Sequence, residues 1–546
     1  MKTIILHTIS KSFLHRDQIS LGTDILYEYI NLIDKDIDNK NMYMYKIYKE
    51  FNEKPLKAFK LTVKKILDDI YNFNPNILFI SVEYGAVNLV KYIINKLYKK
   101  GLTNTLFVVG GLSVNFIYND IITNCNNTIA GVGEGEVSLK EIIDKYKIYD
   151  INDLKQYSTI NNVIIYNKST KQNSHGNIVR SEISRDFPYI KPVVHNFRKF
   201  HDIEMSRGCP HAKCTFCVVP YQFTGCDLNV KSNSSWKGYE INNIIKRIKY
   251  LIDNGVTKFS ITDSDVVGPN TIENIQRLID ISSEIIKIKN TTERNITFDA
   301  VCMPVSTVFN FKDSDRLMNL KREMFLNLKE MGVKGIYIGL ESGSEHQLKI
   351  YNKISTDVNQ SKLAVKLLEN YNFNSTSYGF MFFDYLSDID VLIDNIKFVE
   401  DLKLWNTLTN ISKSLIVYKY TKYYEIVKYM NLLRERNKKS ILEYNCEYLY
   451  PEVKYIVNIK DIFINSSLQL ERLVDKEHRI EIYYQNFLFL KDLIYKVKND
   501  DYNSKNLIKY YMDLRKDFIN NLLKDDTYKN NTEALFYLNK YINLKI

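Results

Sequence analysis

Cysteines stand at 209, 214 and 217 in the run Arg207-Gly208-Cys209-Pro210-His211-Ala212-Lys213-Cys214-Thr215-Phe216-Cys217. Four residues separate the first pair and two the second, so one short loop can aim three thiolates at a single point. Three soft sulfur ligands within nine residues suit zinc or an iron–sulfur cluster. The alternatives differ in what closes the shell. A structural zinc ion takes a fourth protein ligand, for which His211 is the candidate. A cluster held by three cysteines leaves one iron open to substrate, and the chemistry would be there.

The elements that must position this loop repeat as strand and helix from Asp202 onward. Ile203–Ser206 is a first strand that delivers the cysteines. Residues 241–254 are amphipathic, with Ile244, Ile245, Ile248 and Ile252 on one face. Val256–Asp263 is a second strand, ending in Asp263-Ser264-Asp265, where carboxylates can accept from a ligand ammonium or simply cap a turn. Further strands are expected at Ile296–Val301, Gly335–Leu340, Tyr378–Phe383 and Ile411–Tyr418. The fourth runs into Glu341-Ser342-Gly343-Ser344-Glu345, with Lys353 beyond it, a residue read as surface in preference to a partner for a ligand carboxylate. Past Thr421 the pattern becomes helical: Tyr423–Arg436, Ile462–Val474, Ile480–Val497 and Leu507–Leu523 carry aromatic and leucine stripes, which are core rather than cofactor signatures. Cys226, Cys302 and Cys446 read as packed or incidental thiols.

Upstream, residues 1–145 also alternate. Strands are expected at Ile4–Ile9, Met42–Tyr48, Asn76–Val82, Thr105–Gly111 and Thr128–Gly131. Helices are expected at Asp17–Leu32, Leu56–Ile70, Val87–Tyr98 and Val137–Tyr146. Such alternation implies a doubly wound parallel sheet with its ligand site beyond the strand C-terminal ends. Small residues collect there: Ser81, Gly110, Gly111, Gly131, Gly133 and Gly135. They would let backbone approach a large ligand, or serve only as turns. Residues 147–200 read as a connector, with a small strand at Asn162–Tyr166 and an exposed loop or hairpin at Lys168–Asn177.

The 546 residues are enough for two to four domains. Seven cysteines, three of them clustered, do not form a secreted disulfide framework. Met1–His7 reads as a strand rather than a signal peptide, and no apolar run reaches membrane-spanning length. The cytoplasm is the expected compartment. A net charge of +11 comes from lysines interleaved with Asp, Glu and Asn. That pattern lacks the basic stripe of a nucleic-acid binder, so no nucleic-acid partner is expected.

The cysteine run resembles that of the radical S-adenosylmethionine (SAM) superfamily, whose usual spacing is three residues and then two. The resemblance implies a [4Fe–4S] cluster on Cys209, Cys214 and Cys217, with Phe216 beside the SAM adenine. It also implies that Asp263 and Ser264 meet the SAM amino group. Gly339-Leu340-Glu341-Ser342-Gly343 resembles the ribose-contacting segment of such cores, Glu341 accepting from the ribose and Ser342 and Gly343 bringing backbone to the methionine moiety. Pro75–Tyr84, Gly110-Gly111 and residues 131–136 together look like the cobalamin-binding domain that precedes many of these cores. On that resemblance Ser81, Gly110, Gly111, Gly133, Glu134 and Gly135 would contact cobalamin. An Asp-x-His-x-x-Gly sequence is absent, so any cobalamin would lack a histidine ligand from that motif.

The implied architecture is α/β: a Rossmann-like cobalamin-binding domain (1–146), a connector (147–200), a partial (βα)6 radical SAM barrel (201–420) and a helical C-terminal domain (421–546). The implied cofactors are [4Fe–4S], SAM and cobalamin, with a flavodoxin- or ferredoxin-like one-electron donor as partner. The implied activity is reductive SAM cleavage to a 5′-deoxyadenosyl radical, serving cobalamin-dependent methylation of an unactivated carbon in a peptide or natural-product intermediate. Rearrangement, cyclisation or epimerisation without methyl transfer is the alternative, and a non-catalytic zinc protein a third reading. Nothing in the sequence names the substrate.

Overall fold

The computed structural model describes residues 1–524 apart from 10–20, 84, 150, 152, 181–190, 197–199, 227–235, 293, 354–355, 407–408, 437–441, 468–469 and 473. The first part of the chain builds a seven-stranded sheet from β1 (Lys2–His7), β2 (Asp38–Tyr43), β3 (Ile77–Ser81), β4 (Leu106–Gly110), β5 (Thr128–Gly131), β6 (Val163–Asn167) and β7 (Gln172–His175). Their order is β2-β1-β3-β4-β5-β6-β7. The first five are parallel, Ile5 lying opposite Asn41 on one side and Phe79 on the other. The last two pair antiparallel.

The central strands read as continuous apolar runs because both faces are covered. Leu78, Ile80, Phe107 and Val109 pack with Ile66 and Ile70 of the helix Pro55–Phe73 and Val90 and Ile93 of the helix Val87–Lys100. Their neighbours Ile77, Phe79, Leu106 and Val108 face Ile30 of the helix Leu21–Ile33 and Ile142 of the helix Glu136–Ile148. Each fully buried side chain contributes about 1.5–3 kcal/mol. Helix ends follow local chemistry. Pro55 opens one helix at a position that needs no N–H, and Asn74 stops it in a left-handed conformation (φ 53°) while donating to the Ile70 carbonyl.

Three expectations for this region change. Extended chain ends at Tyr43 rather than Tyr48, and Met44–Lys49 is helical, burying Met44, Tyr45 and Ile47. The small strand of the expected connector is β6, and with β7 it extends the sheet past residue 146. The helix Val114–Ile122 was not anticipated; Val114, Ile117, Tyr118 and Ile121 line its buried face at helical spacing. Residues 17–20 of the expected helix Asp17–Leu32 lie outside the described residues.

The middle of the chain forms a curved parallel wall. Its strands are β8 (His201–Ile203), with the short β9 (Ser206–Arg207) and β10 (Lys237–Gly238) at its mouth, then β11 (Lys258–Ile261), β12 (Thr297–Phe298), β13 (Val301–Met303), β14 (Ile336–Glu341) and β15 (Ser377–Phe380). β8, β11 and β12 pair in parallel, as do β13, β14 and β15. β12 and β13 are one expected strand interrupted at Asp299-Ala300, and a parallel bridge from Phe298 to Val333 joins the two halves. Along β14, Ile336, Ile338 and Leu340 are buried against the outer helices, while Tyr337, Gly339 and Glu341 face the other way.

The expected sixth strand, Ile411–Tyr418, shrinks to a bridge between Phe383 and Ser414. Thr409–Ser412 is helical, and β16 (Val417–Tyr418) turns away to pair antiparallel with β18 (Glu443–Cys446), which also pairs with β17 (Leu433–Arg436). That small sheet corrects the purely helical reading of the C-terminal region, since the expected helix Tyr423–Arg436 stops at Tyr429. Helices Pro451–Ser467, Lys476–Lys498 and Lys505–Leu522 do follow. Phe463, Phe487 and Leu490 share one apolar core with Phe382, Leu392 and Phe398 of the barrel.

Candidate active site

Gly208, at φ +90°, turns the chain from β9 into the cysteine loop. The extra residue between Cys209 and Cys214 is taken up as a bulge, with Ala212 left-handed at φ +43°. The segment after β14 clasps this loop. Asn352 Nδ2 donates to the Lys213 carbonyl at 2.9 Å, and the Asn352 carbonyl lies 2.8 Å from His211 Nε2. The Thr215 N–H donates to the Tyr351 carbonyl at 3.0 Å, and the Tyr423 N–H donates back to the Thr215 carbonyl at 2.8 Å. His211 thus has its Nε2 on backbone rather than turned towards the thiols.

The three thiols are free and half-buried. Among the described residues no three His, Cys, Asp or Glu gather as the shell of a single ion. Three thiols on one short loop suit a cluster in which each holds a different iron. Burial pushes the Cys214 thiol up to about 11 and Cys217 up to about 12. Both stay protonated near neutrality until a metal displaces the proton.

At the end of β14 the chain bulges between Gly339 and Glu341, and Glu341 adopts φ +67°. This turn places its Oε1 3.2 Å from Lys353 Nζ. A Cβ on Gly339 would come 2.2 Å from that oxygen, so the pair needs glycine there. Lys353, read as surface, is largely covered, its side chain 16% exposed. Burial opposes its charge, but the Glu341 carboxylate beside it outweighs that and holds it above the ordinary lysine value. An ammonium therefore stands beside the cysteine loop.

Ser342 and Gly343 turn inward. The Ser342 hydroxyl is buried against Gln347 Oε1 and Asn395 Oδ1, and the Gly343 N–H donates to Asn395 Oδ1 at 2.7 Å. A Cβ on Gly343 would meet Phe398 Cβ at 2.3 Å. Both residues are therefore tied to the packing of the helix Ile389–Asp401. Phe216 packs edge-on against Tyr351, ring centroids 5.1 Å apart.

Asp263 is buried and braces the cysteine loop from below, accepting from the Met205 N–H at 3.0 Å and from the Ser206 hydroxyl. Burial pushes it up to about 7. Asp265 Oδ1 accepts from the Val267 and Gly268 N–H groups at 3.0 Å, while its buried Oδ2 has no partner. Cys302, on β13, is pushed up to about 12 by burial and then by the neighbouring Asp265 carboxylate. Sequence reasoning set Cys302 aside and favoured Asp263 and Ser264 over Asp265. The unmet oxygen, which is the better acceptor for a ligand, has no signature in the sequence.

A cavity of about 400 Å³ lies between the C-terminal ends of the first sheet and the mouth of the barrel. Ser81, Gly110, Gly111, Gly133, Glu134 and Gly135 all line it, joined by Asp263 and Ser264. Its base is apolar, from Ile5, Phe79, Val108 and Leu139, and no described histidine lines it. The cysteines, Phe216 and Glu341 do not line it. Gly111 (φ +100°) and Gly133 (φ +71°) need glycine for their backbone, whereas a Cβ on Gly110 would meet nothing nearer than the Gly131 carbonyl at 3.8 Å. Glu134 is not free to meet a ligand. Arg180 Nε holds one oxygen at 3.0 Å and Arg207 Nη1 the other at 3.2 Å. Arg207 went unread because its partners Glu134 and Glu136 lie 73 and 71 residues upstream, with no periodicity to connect them.

Residues 203–394, the barrel wall and the cysteine loop, match the family model described as the Radical SAM superfamily, and this part of the chain is a radical SAM domain. Such a domain makes the chain an enzyme and implies a [4Fe–4S] cluster and SAM as cofactors. Over 355 residues the chain is 25% identical to the 4′-phospho-dehydrooxetanocin synthase of Priestia megaterium, a match that covers 62% of this chain and only 44% of that protein. Among solved structures, the cobalamin-dependent SAM radical enzyme OxsB with aqua-cobalamin bound has a TM-score of 0.80 at 18% identity, covering 99% of this chain and 83% of OxsB. The radical SAM methyltransferase TsrM from Kitasatospora setae, with tryptophan substrate and a SAM analogue bound, has a TM-score of 0.60 at 13% identity, covering 85% and 88%. At these identities the structural likenesses speak for the fold. No helix among the described residues is long and apolar enough to cross a membrane.

Proposed function

We propose that the chain is a cobalamin-dependent radical SAM enzyme acting on a small-molecule or peptide intermediate. The observation that carries this reading is the cavity beside the barrel mouth, lined by all six residues expected to meet a corrinoid and walled by the loop that leads into the cysteines. The cluster and cobalamin, when bound, would supply one-electron cleavage of SAM and a methyl or electron relay beside it. The protein's own part is positional. Cys209, Cys214 and Cys217 would hold the cluster. Lys353 and Glu341 set charge next to it, Asp265 Oδ2 offers an acceptor to the SAM ammonium, and Phe216 with Tyr351 walls the adenine side. The apolar base of the cavity would exclude water from the corrin.

Two outcomes of the radical step have separate support. Methyl transfer to an unactivated carbon is supported by the likeness to TsrM, named as a methyltransferase. Rearrangement without methyl transfer is supported by the higher likeness to OxsB and by the curated relative, whose name is that of a synthase. The test is anaerobic purification with cluster reconstitution and added hydroxocobalamin. Iron, sulfide and cobalt would be counted, and 5′-deoxyadenosine measured after reduction with methyl-labelled SAM. About four irons per chain with stoichiometric cobalt and deoxyadenosine agree with the proposal, and label recovered in product selects methyl transfer. Iron without cobalt refutes the cobalamin part.

A further inference from the structure

We propose that Arg207 is a positioning residue that ties the cysteine loop to the wall of the first domain's cavity, so that filling the cavity changes how tightly the loop's site binds SAM. This rests on the function proposed above. The Arg207 guanidinium, part-buried, sits among three carboxylates from two domains. Nε lies 2.9 Å from Glu204, Nη1 3.2 Å from Glu134 and Nη2 2.9 Å from Glu136. Glu134 belongs to the turn after β5 and Glu136 opens the helix that follows, both in the first domain, and Glu204 belongs to the loop after β8. All three carboxylates and Arg207 line the cavity, so this cluster of charges borders whatever fills it.

The attachment is stiff at both ends. On the cavity side, Arg180 holds the second oxygen of Glu134 at 3.0 Å and lies over the Phe223 ring at 3.9 Å. Between the turn at Glu134 and the chain at Phe223 there is no slack, since a Cβ on Gly133 would come 3.0 Å from the Phe223 carbonyl. On the loop side, Arg207 is paired with Lys237 in β9–β10 and stands two residues before Cys209. Tyr239 donates its hydroxyl to Glu204 and so fixes the third carboxylate. A planar guanidinium can address three carboxylates along its edges, which an ammonium on a flexible stem cannot reproduce. Displacing the turn after β5 must therefore either move the cysteine loop or break a buried charge pair, which is the costlier choice.

The test compares the native protein with Arg207→Lys and Arg207→Gln, using hydroxocobalamin and SAM as probes on cluster-reconstituted protein. In the native protein, saturating hydroxocobalamin is expected to change the SAM dissociation constant by at least about fivefold, with the same factor appearing reciprocally in cobalamin binding. In Arg207→Lys the factor is expected to fall towards about one, with iron content and the fold by circular dichroism retained. A structural role alone would lower stability in the variants and leave the factor intact. Should both Arg207 variants fail to fold, Glu136→Gln and Glu204→Gln each remove one arm and are expected to lower the factor. Cobalamin uptake with no coupling in the native protein, or full coupling in the variants, overturns the assignment of Arg207 and leaves the proposed function standing. Iron-loaded protein that takes up no cobalamin overturns both.

Discussion

At the scale of single residues, the chemistry divides into what the sequence spells out and what only the folded chain reveals. Three cysteines within nine residues are legible because their ligand geometry is local. Replacing Cys214 with Ala is expected to cut iron from about four per chain to below one, and to abolish deoxyadenosine formation while the far-ultraviolet circular dichroism holds. Lys353 was illegible, because its burial depends on a left-handed Glu341 twelve residues earlier. The buried aspartates make a pH prediction. Burial pushes Asp265 up to about 6, from about 3.9 in an unfolded chain. Between these values the folded chain retains a proton that the unfolded chain has released. The contribution to stability is therefore greatest below about pH 4 and is lost as pH rises to about 6. Asp265→Asn keeps an oxygen for the Val267 and Gly268 N–H groups and removes the charge. It is expected to relieve on the order of 2–3 kcal/mol above pH 6, seen as a flatter dependence of melting temperature on pH in cluster-free protein. An unchanged slope would contradict this.

Among the elements, strands that are central in a sheet were the most readable, because β3 and β4 are nearly continuous apolar runs and β11 and β14 alternate buried apolar residues between turns. Elements whose identity is set by their neighbours were not. Met44–Lys49 and Val114–Ile122 contain β-type residues yet coil to bury one face, and β17 exists only through its pairing with β18. The turn after β14 shows how an element can be fixed by one missing side chain. Gly343→Ala would drive a Cβ to 2.3 Å from Phe398 and push the helix Ile389–Asp401 outward. Overpacking of this kind costs about 1–3 kcal/mol, so a melting temperature lower by several degrees is expected. Gly339→Ala instead collides with Glu341 Oε1 and separates it from Lys353. Its expected mark is weaker SAM binding by calorimetry, at a melting temperature closer to native than that of Gly343→Ala.

For the molecule as a whole, the division into a sheet domain, a barrel and a mainly helical end was readable, while the joins between them were not. The cavity exists only where the turn after β5 meets the loops after β8 and β11. Gly110 offers a way to close it without disturbing the backbone, as the nearest atom to an added Cβ is the Gly131 carbonyl at 3.8 Å. Gly110→Phe is expected to weaken hydroxocobalamin binding at least tenfold, about 1.4 kcal/mol, with iron content unchanged. Equal loss of both would mean that the cavity and the cysteine loop cannot be filled separately. The clasp on that loop carries a last consequence, for biogenesis. Thr215 is held by Ile350 and Tyr351, and then by Tyr423. A ribosome releases the cysteines long before it makes those partners. The thiols cannot be held in their final arrangement until synthesis has passed Tyr423, and before that a nascent chain offers iron or zinc only an unshaped loop.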